Sequence, residues 1–287
     1  MGIRAFFHKI KMWFVRAGKP SIPYVREVKR YGNYGENKFV TALSNALLDC
    51  KIKRNVIVST PEGSAEIDCM VLYQNKLFAI EVKCWKGVII ECEDGFLTEK
   101  TDRWTGEKYR KRLKSPFKQL GRAVYLLKKQ ISINAWVNGI VFFEDDELES
   151  VSVFSDNVWF DSYSALANYI FNDGKASYGT GAVDFFERCI PADYLYARAW
   201  GRSLHCVIDR NYLCFEGPHG KITADQIASI HISHRWSCDD LNINLIDGTE
   251  CLVTVENAEI IVYDDGCPSK YALCKLDYIE LGRAHCL

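Results

Sequence analysis

Apolar and polar residues alternate along the chain in two different ways, which divides it into two regions. Up to about residue 172, apolar runs typical of buried strands lie between stretches in which apolar residues recur every three or four positions, as in amphipathic helices. After a stretch rich in glycine and small residues at 172–181, short strand-like runs alternate with polar turns. The pattern predicts an α/β domain over residues 31–172 and a small β-rich domain over 173–287. A basic amphipathic segment, residues 1–30, precedes them.

The α/β domain is predicted to contain a sheet that helices cover on both faces, because its central strands are apolar on both sides. The predicted helices are 33–50, the segment that follows a cap at Ser115, and 162–171. The predicted strands of this domain are 51–57, 70–73, 77–82, 88–90, 96–97 and 136–143, with a loop at 59–64 and an extended segment at 151–160. The strands predicted for the β-rich domain are 204–208, 212–215, 227–232, 241–246, 251–255 and 260–263.

A hairpin within the stretch Glu66 to Lys83 is the centre of this prediction. A turn at Gln74-Asn75 pairs residues whose numbers add up to 149, which places Asp68 opposite Glu81. Because side chains alternate across a strand, Glu81 and Lys83 share one face with Asp68. Two opposed carboxylates repel each other unless a cation lies between them. The pattern therefore predicts a Mg²⁺ site with a lysine beside it.

The composition is that of a globular protein, but the charge is unevenly distributed. The chain is 48% hydrophobic and 25% charged, which excludes the intrinsically disordered class. Residues 1–129 hold 26 Lys and Arg against 13 Asp and Glu, whereas residues 130–287 hold 10 against 24. A basic first half predicts an anionic partner, expected to be DNA.

The positive charge is concentrated in residues 100–129, where 11 Lys and Arg face only Asp102 and Glu107. Trp104 and Tyr109 lie among these residues and could stack on bases. The pattern predicts a nucleic-acid interface, with a merely solvated surface as the alternative. The residues expected to contact nucleic acid are Arg103, Lys108, Arg110, Lys111, Arg112, Lys114 and Lys118.

The remaining sequence features bear on localisation and partners. The 12 cysteines form no CxxC pair, which favours free thiols in a reducing cytoplasm. No stretch is long and apolar enough to span a bilayer. Residues 1–20 have helical apolar spacing and no acidic residue. This segment is expected to pack on its own protein or on a second copy in a homodimer, and peripheral contact with an anionic membrane is the less favoured alternative.

The candidate site resembles that of the PD-(D/E)xK nuclease superfamily, with Asp68 as the aspartate and Glu81-Val82-Lys83 as the ExK. More narrowly, the chain resembles the NERD (nuclease-related) domain over roughly residues 31–172. The further matching pieces are Gly35-Glu36, Glu66-Ile67-Asp68, Gly87 and Ser115-Pro116-Phe117-Lys118-Gln119.

The resemblance implies a restriction-endonuclease-like core with a central mixed sheet and a nuclease that depends on Mg²⁺ or Mn²⁺. It implies that Asp68, Glu81 and the carbonyl of Val82 bind the metal. It also implies that Lys83 positions or deprotonates the attacking water. Glu36 would complete the metal or water shell, and Gln119 would orient Lys83 or a phosphate.

A rival interpretation is a nucleic-acid-binding or scaffold protein that keeps the fold without cleavage. The β-rich domain is expected to bind a protein partner or to regulate the nuclease.

Overall fold

The computed structural model describes most of the chain as two compact units, one formed by residues 27–190 and one that begins at residue 191. The described ranges are 27–47, 49–101, 105–197, 202–218, 220–235, 238–264 and 267–282. Most of the predicted amphipathic segment, residues 1–26, lies outside these ranges, as does Arg103. No helix within them is both long enough and apolar enough to cross a membrane.

The first unit contains both helices and strands. Its described helices are α1 (Glu27–Ala46), α2 (Pro116–Gln130), α3 (Tyr163–Asn172) and α4 (Gly181–Arg188). Its described strands are β1 (Lys51–Thr60), β2 (Gly63–Tyr73), β3 (Lys76–Lys83), β4 (Gly87–Cys92), β5 (Gly95–Thr101), β6 (Lys108–Leu113), β7 (Val137–Phe143), β8 (Leu148–Ser152) and β9 (Trp159–Phe160). A two-residue strand, β10 (Ile190–Pro191), lies at the boundary with the second unit.

The main sheet of the first unit is mixed, with strand order β10-β1-β2-β3-β7-β9. Strand β2 runs antiparallel to its neighbours β1 and β3, whereas β7 runs parallel to both β3 and β9. Helices α2 and α4 pack on one face through residues such as Leu126 and Phe185. Helices α1 and α3 pack on the other face through residues such as Phe39 and Ile170. The predicted α/β sheet with helices on both sides is therefore present.

A second, smaller sheet has the order β6-β5-β4-β8 and contains the basic stretch. Strand β6 was not predicted, because its residues are almost all polar and show no alternation of apolar side chains. Its backbone pairs with β5 instead. The loop predicted at 59–64 is also wrong: Ser59 pairs with Ser64 and Thr60 with Gly63, so only two residues form the turn.

Helix α1 begins earlier than predicted, at Glu27 rather than near Asn33. Glu36 therefore lies in the middle of this helix and not in its first turn. Gly35 permits a close approach at this point, since a Cβ atom there would clash with Sγ of Cys84. The glycine allows the helix to lie directly against the chain that follows β3.

The first unit also extends beyond the predicted boundary at residue 172, to Ile190. The stretch 172–181 was predicted as a linker because it is rich in small and polar residues. Its backbone instead accepts hydrogen bonds from the first unit: the side chain of Asn75 donates to the carbonyls of Ser177 and Gly179 at 2.6 and 2.8 Å. Helix α4 then buries Phe185 in the core of the first unit.

The second unit is built from strands, as the sequence pattern indicated. Its described strands are β11 (Asp193–Ala197), β12 (Arg202–Ile208), β13 (Cys214–Gly217), β14 (Gly220–Thr223), β15 (Ile227–His234), β16 (Asp239–Leu245), β17 (Glu250–Val255), β18 (Glu259–Asp264), β19 (Cys267–Ala272) and β20 (Tyr278–Glu280). Eight of these form one sheet of order β17-β16-β15-β20-β11-β12-β18-β19, and β13 pairs with β14 alone. The unit has its own apolar core around Leu195, Ile230 and Leu241.

Candidate active site

The hairpin of β2 and β3 has the predicted register. Its ladder runs from Tyr73 paired with Lys76 to Cys69 paired with Ile80, with each pair adding up to 149. The turn between the strands is tight, and Gln74 takes a left-handed φ of +52°. The next positions along this register are Asp68 and Glu81.

Asp68 leaves the regular ladder and uses its side chain to contact β3. Its Oδ2 accepts a hydrogen bond of 2.7 Å from the amide of Val82. On its other side, the β1–β2 ladder is interrupted between the pairs formed by Cys69 and by Ile67. Asn55, which would pair with Asp68 there, has a left-handed φ of +48°. The interruption holds the carboxylate of Asp68 beside the ExK segment.

Glu81 and Lys83 lie at the end of β3 and contact each other. Glu81 is fully buried, and the ammonium of Lys83 donates a hydrogen bond to its Oε1. The Lys83 side chain is 19% exposed, so it connects the buried acid to the surface. The second oxygen of Glu81, Oε2, is buried without a hydrogen-bond partner in the described part of the chain. Such an oxygen is costly unless a cation or water satisfies it.

The pKa shifts show that four charged groups influence one another at this site. Burial raises the pKa of Glu81 to about 8, and the charges of Asp68 and Glu36 act in the same direction. The nearby ammonium of Lys83 opposes this rise. Burial alone would lower the pKa of Lys83, but the three carboxylates outweigh it and raise that pKa. The structure thus brings Glu36, Asp68, Glu81 and Lys83 together.

Glu36 reaches this cluster because α1 packs against the chain after β3. Gly35 lies on Cys84, the residue that follows Lys83, and the side chain of Glu36 is partly buried there. Burial raises the pKa of Cys84 to about 12, and the charge of Glu36 contributes to this rise. Cys84 is therefore a thiol at neutral pH and is not an activated nucleophile.

Oxygen donors at this site are few. Across the described ranges, no three His, Cys, Asp or Glu side chains are placed to hold one metal ion together. The structure therefore does not place Glu36 as a third side-chain ligand beside Asp68 and Glu81. Asp68 and Glu81 are the carboxylates that could hold a metal ion here, and hard carboxylate oxygens are ligands that Mg²⁺ prefers.

Gln119 is the predicted site residue that the structure leaves apart from the cluster. Ser115 caps α2 as predicted, accepting from the amide of Lys118 at 3.3 Å, and Pro116 takes the first helical position. Gln119 follows in the first turn and is exposed. The ammonium of Lys83 donates to Glu81, and none of the described hydrogen bonds joins it to Gln119.

The basic stretch divides into paired and unpaired charges. Lys108 and Arg110 form ion pairs with Glu99 at 2.9 and 2.7 Å, which reduces their contribution to any anion-binding surface. Side chains alternate along β6, so Lys111 and Arg112 lie on opposite faces of this strand. The residues of this set that are exposed are Lys108, Arg110, Lys111, Arg112, Lys114 and Lys118.

The sequence reasoning missed one functional candidate, Glu144. This residue follows β7 directly and is only 7% exposed. Its amide donates to the carbonyl of Lys83 at 3.0 Å, and its carboxylate contacts Lys38 and Tyr163. The carboxyl ends of parallel strands meet at one edge of a sheet, so an acid directly after the strand that pairs with the ExK strand was the available signal.

Comparison with known families agrees with this geometry. Residues 31–144 match the family model NERD, the nuclease-related domain. This segment is therefore similar to the nuclease-related domain, and the resemblance seen in the sequence is confirmed over residues 31–144. The match spans Glu36, Asp68, Glu81, Lys83 and Gln119, and ends before α3, α4 and the second unit. No curated protein and no solved structure matches the chain.

Proposed function

We propose that residues 27–190 form a metal-dependent nuclease that hydrolyses phosphodiester bonds in DNA. The observation that carries this proposal is the buried carboxylate of Glu81. Its Oε2 accepts no hydrogen bond from the described residues, although Asp68 and Lys83 lie beside it. The family match supports the nuclease part of the proposal, since NERD denotes a nuclease-related domain.

The donor chemistry fits Mg²⁺ or Mn²⁺. Asp68 and Glu81 would hold the ion together with the carbonyl of Val82, and water would fill the other positions, as is usual for Mg²⁺. When bound, such an ion stabilises negative charge on a phosphate and lowers the pKa of a coordinated water. The raised pKa of Glu81 means that this residue would release a proton as it becomes a ligand.

Lys83 acts as a charged donor in this proposal. The sequence left two roles open, positioning the attacking water or deprotonating it. The raised pKa of Lys83 keeps the ammonium protonated near neutral pH, which supports the first role. From the surface end of the site, it would orient the water and stabilise the charge that develops on the phosphate.

The remaining residues would bind and organise the substrate. Glu36 would act on the water side of the cluster and help to keep Lys83 charged. Gln119 would contact a phosphate through its exposed amide rather than orient Lys83, since it lies at the start of α2. The phosphate contacts are assigned to the basic residues that lack a described acidic partner, namely Lys111, Arg112, Lys114 and Lys118.

A second candidate function is DNA binding without independent cleavage. It is favoured by the ion pair between Lys83 and Glu81 and by the lack of a three-ligand group among the described side chains. The second unit fits a regulatory or partner-binding role in either case. Residues 191–287 hold 14 Asp and Glu against 8 Lys and Arg, which disfavours direct contact with DNA.

Incubation of the purified protein with supercoiled plasmid tests the proposal. Nicked or linear plasmid should appear with Mg²⁺ or Mn²⁺ and should be absent with EDTA. Single-stranded DNA and RNA should be included as further substrates, because the site does not define the strand type. Retention of every substrate uncut, together with measurable DNA binding, would favour the second candidate function.

A further inference from the structure

We propose that Glu144 is a positioning residue for the candidate active site, because it ties the helix that carries Glu36 to the strand that carries Lys83. This inference rests on the proposed nuclease function. Glu144 is placed for the role by topology: β7 runs parallel to β3, and Lys83 pairs with Phe143, the residue before Glu144. The amide of Glu144 then continues this contact by donating to the carbonyl of Lys83 at 3.0 Å.

Both carboxylate oxygens of Glu144 attach other elements to this point. Oε1 forms an ion pair of 2.8 Å with Lys38, which lies two residues after Glu36 in α1. Oε2 accepts a hydrogen bond from the hydroxyl of Tyr163, the first residue of α3. Hydrogen bonds to Asp146 and Glu144 raise the pKa of Lys38 and keep it charged. Charged hydrogen bonds to a buried carboxylate are among the stronger polar contacts in a protein.

The contacts of Glu144 with Lys38 and Tyr163 form a tether, which adds to the apolar packing of α1 near Glu36. Gly35 touches Cys84, and the ring of Phe39 packs on Phe142 with centroids 4.9 Å apart. Asp146, the other carboxylate on Lys38, is exposed, so the buried charge of Glu144 is the polar contact expected to keep α1 against Cys84 and Glu36 at the cluster. A shift of about 1 Å in a catalytic group can lower a rate by ~10²-fold.

A double-mutant cycle tests this role. Glu144→Gln keeps the size of the side chain and an oxygen for Tyr163, but it presents an amide donor to Lys38. We expect kcat to fall by about 10-fold, with KM for DNA unchanged because Glu144 is buried. In a Glu36→Gln background, the same substitution should lower kcat by less than about 2-fold, because Glu144 acts through Glu36. If the kcat loss of the double variant equals the product of the losses in the two single variants, the proposal is overturned.

Two further variants separate positioning from charge and from folding. Asp146→Asn removes the other carboxylate that pairs with Lys38. The side chain of Asp146 is 87% exposed, and no described hydrogen bond joins it to Lys83 or Tyr163. This substitution should lower kcat by less than about 2-fold, and a loss equal to that of Glu144→Gln would contradict the tether. If Glu144→Gln does not fold, Tyr163→Phe removes only the hydroxyl contact to Glu144. That variant should show the same non-additivity with Glu36→Gln.

Alkylation of Cys84 gives a measurement that needs no cleavage. Glu144→Gln should raise the rate at which iodoacetamide modifies Cys84 several-fold, because α1 lies directly on this sulfur. Cys92 is exposed and serves as the internal control, with an unchanged rate. Faster modification of Cys84 in a protein that never cleaves DNA would support the positioning role of Glu144 and contradict the proposed nuclease function. An unchanged rate would overturn the tether even in an active enzyme.

Discussion

Two buried carboxylates, one in each unit, show how a structural acid differs from a candidate catalytic one. Asp193 in β11 is 1% exposed and Glu81 in β3 is fully buried. Asp193 accepts hydrogen bonds from two main-chain amides at 2.7 and 2.8 Å and from Arg210 at 2.6 Å. Glu81 has Lys83 on one oxygen, whereas its other oxygen meets no hydrogen-bond donor among the described residues.

The difference lies in what each acid does for the fold. Asp193 joins β11 to the end of β12 and to the segment after β20, so its hydrogen bonds stabilise the second unit. Among the described residues, the side chain of Glu81 is hydrogen-bonded only to Lys83, two positions along the same strand. The nearby charges of Asp68 and Glu36 repel its charged form. A buried acid that is costly to the fold is more informative about function than one whose partners are complete.

The largest effect should come from Lys83. Replacement by Ala should lower the cleavage rate by ~10²–10³-fold, because the ammonium acts where charge develops in the transition state. DNA binding should change little, since Lys83 is one of many basic groups. Cleavage of plasmid and binding to the same duplex should be measured side by side. Lys76→Ala, at the other end of β3, is the matched control, and equal activity in both variants would place the site elsewhere.

The second prediction compares the two acids by stability. Asp193→Asn should lower the free energy of unfolding of the second unit by ~3 kcal/mol, because it breaks a buried ion pair and its network. Glu81→Gln should leave the stability of the first unit unchanged or raise it in EDTA, since it removes a buried acid whose ionisation burial and the neighbouring carboxylates oppose. Denaturant titration followed in each unit measures both. A large destabilisation by Glu81→Gln would make Glu81 a structural acid as well.

The third prediction concerns pH. In EDTA, the native protein should hold a proton on Glu81 up to about pH 8, whereas the unfolded chain releases it near pH 4.5. The native state therefore binds more protons between these values, so the free energy of unfolding should fall as the pH rises through this window, by ~1–3 kcal/mol. Glu81→Gln should abolish this part of the pH dependence. An unchanged profile in that variant would assign the proton to another group.

The smallest effect is expected at the basic surface. Reversal of Lys111, Arg112 and Lys114 to Glu should weaken DNA binding by about 10-fold or more and should reduce its dependence on salt. Lys108→Glu is the control. Its change in the binding free energy should be smaller than a third of that caused by the triple reversal, because Glu99 already pairs with Lys108. Since Lys111 and Arg112 lie on opposite faces of β6, single reversals then identify the face that contacts DNA.

The sequence predicted the central hairpin well because strong local signals agree there. Apolar strands flank a polar turn, and the numbers of paired residues follow from the turn alone. The contact of Asp68 with the amide of Val82 did not follow from the pattern, because the main-chain ladder ends at Cys69 and a side chain makes the next contact. Asp68→Ala would relieve the repulsion with Glu81 but would also leave the amide of Val82 without its acceptor.

Errors arose where tertiary contacts override local preference. Small and polar residues at 172–181 suggested a linker, but Asn75 in the β2–β3 turn and the buried Asn138 in β7 bind this backbone. The basic run of β6 carried no periodic signal, yet pairing with β5 makes it a strand. Glu144 escaped notice because its partners, Lys38 and Tyr163, are distant in the sequence.

The most direct test of the central claim is calorimetric titration of Mn²⁺ into the protein and into its Glu81→Gln variant, with Asp193→Asn as the control acid. The wild type and Asp193→Asn should bind Mn²⁺ alike, with release of protons near neutral pH. Glu81→Gln should weaken binding by at least about 10-fold, because it removes a charged ligand. Equal affinity in all three proteins, or no binding to the wild type, would contradict a metal site at Glu81.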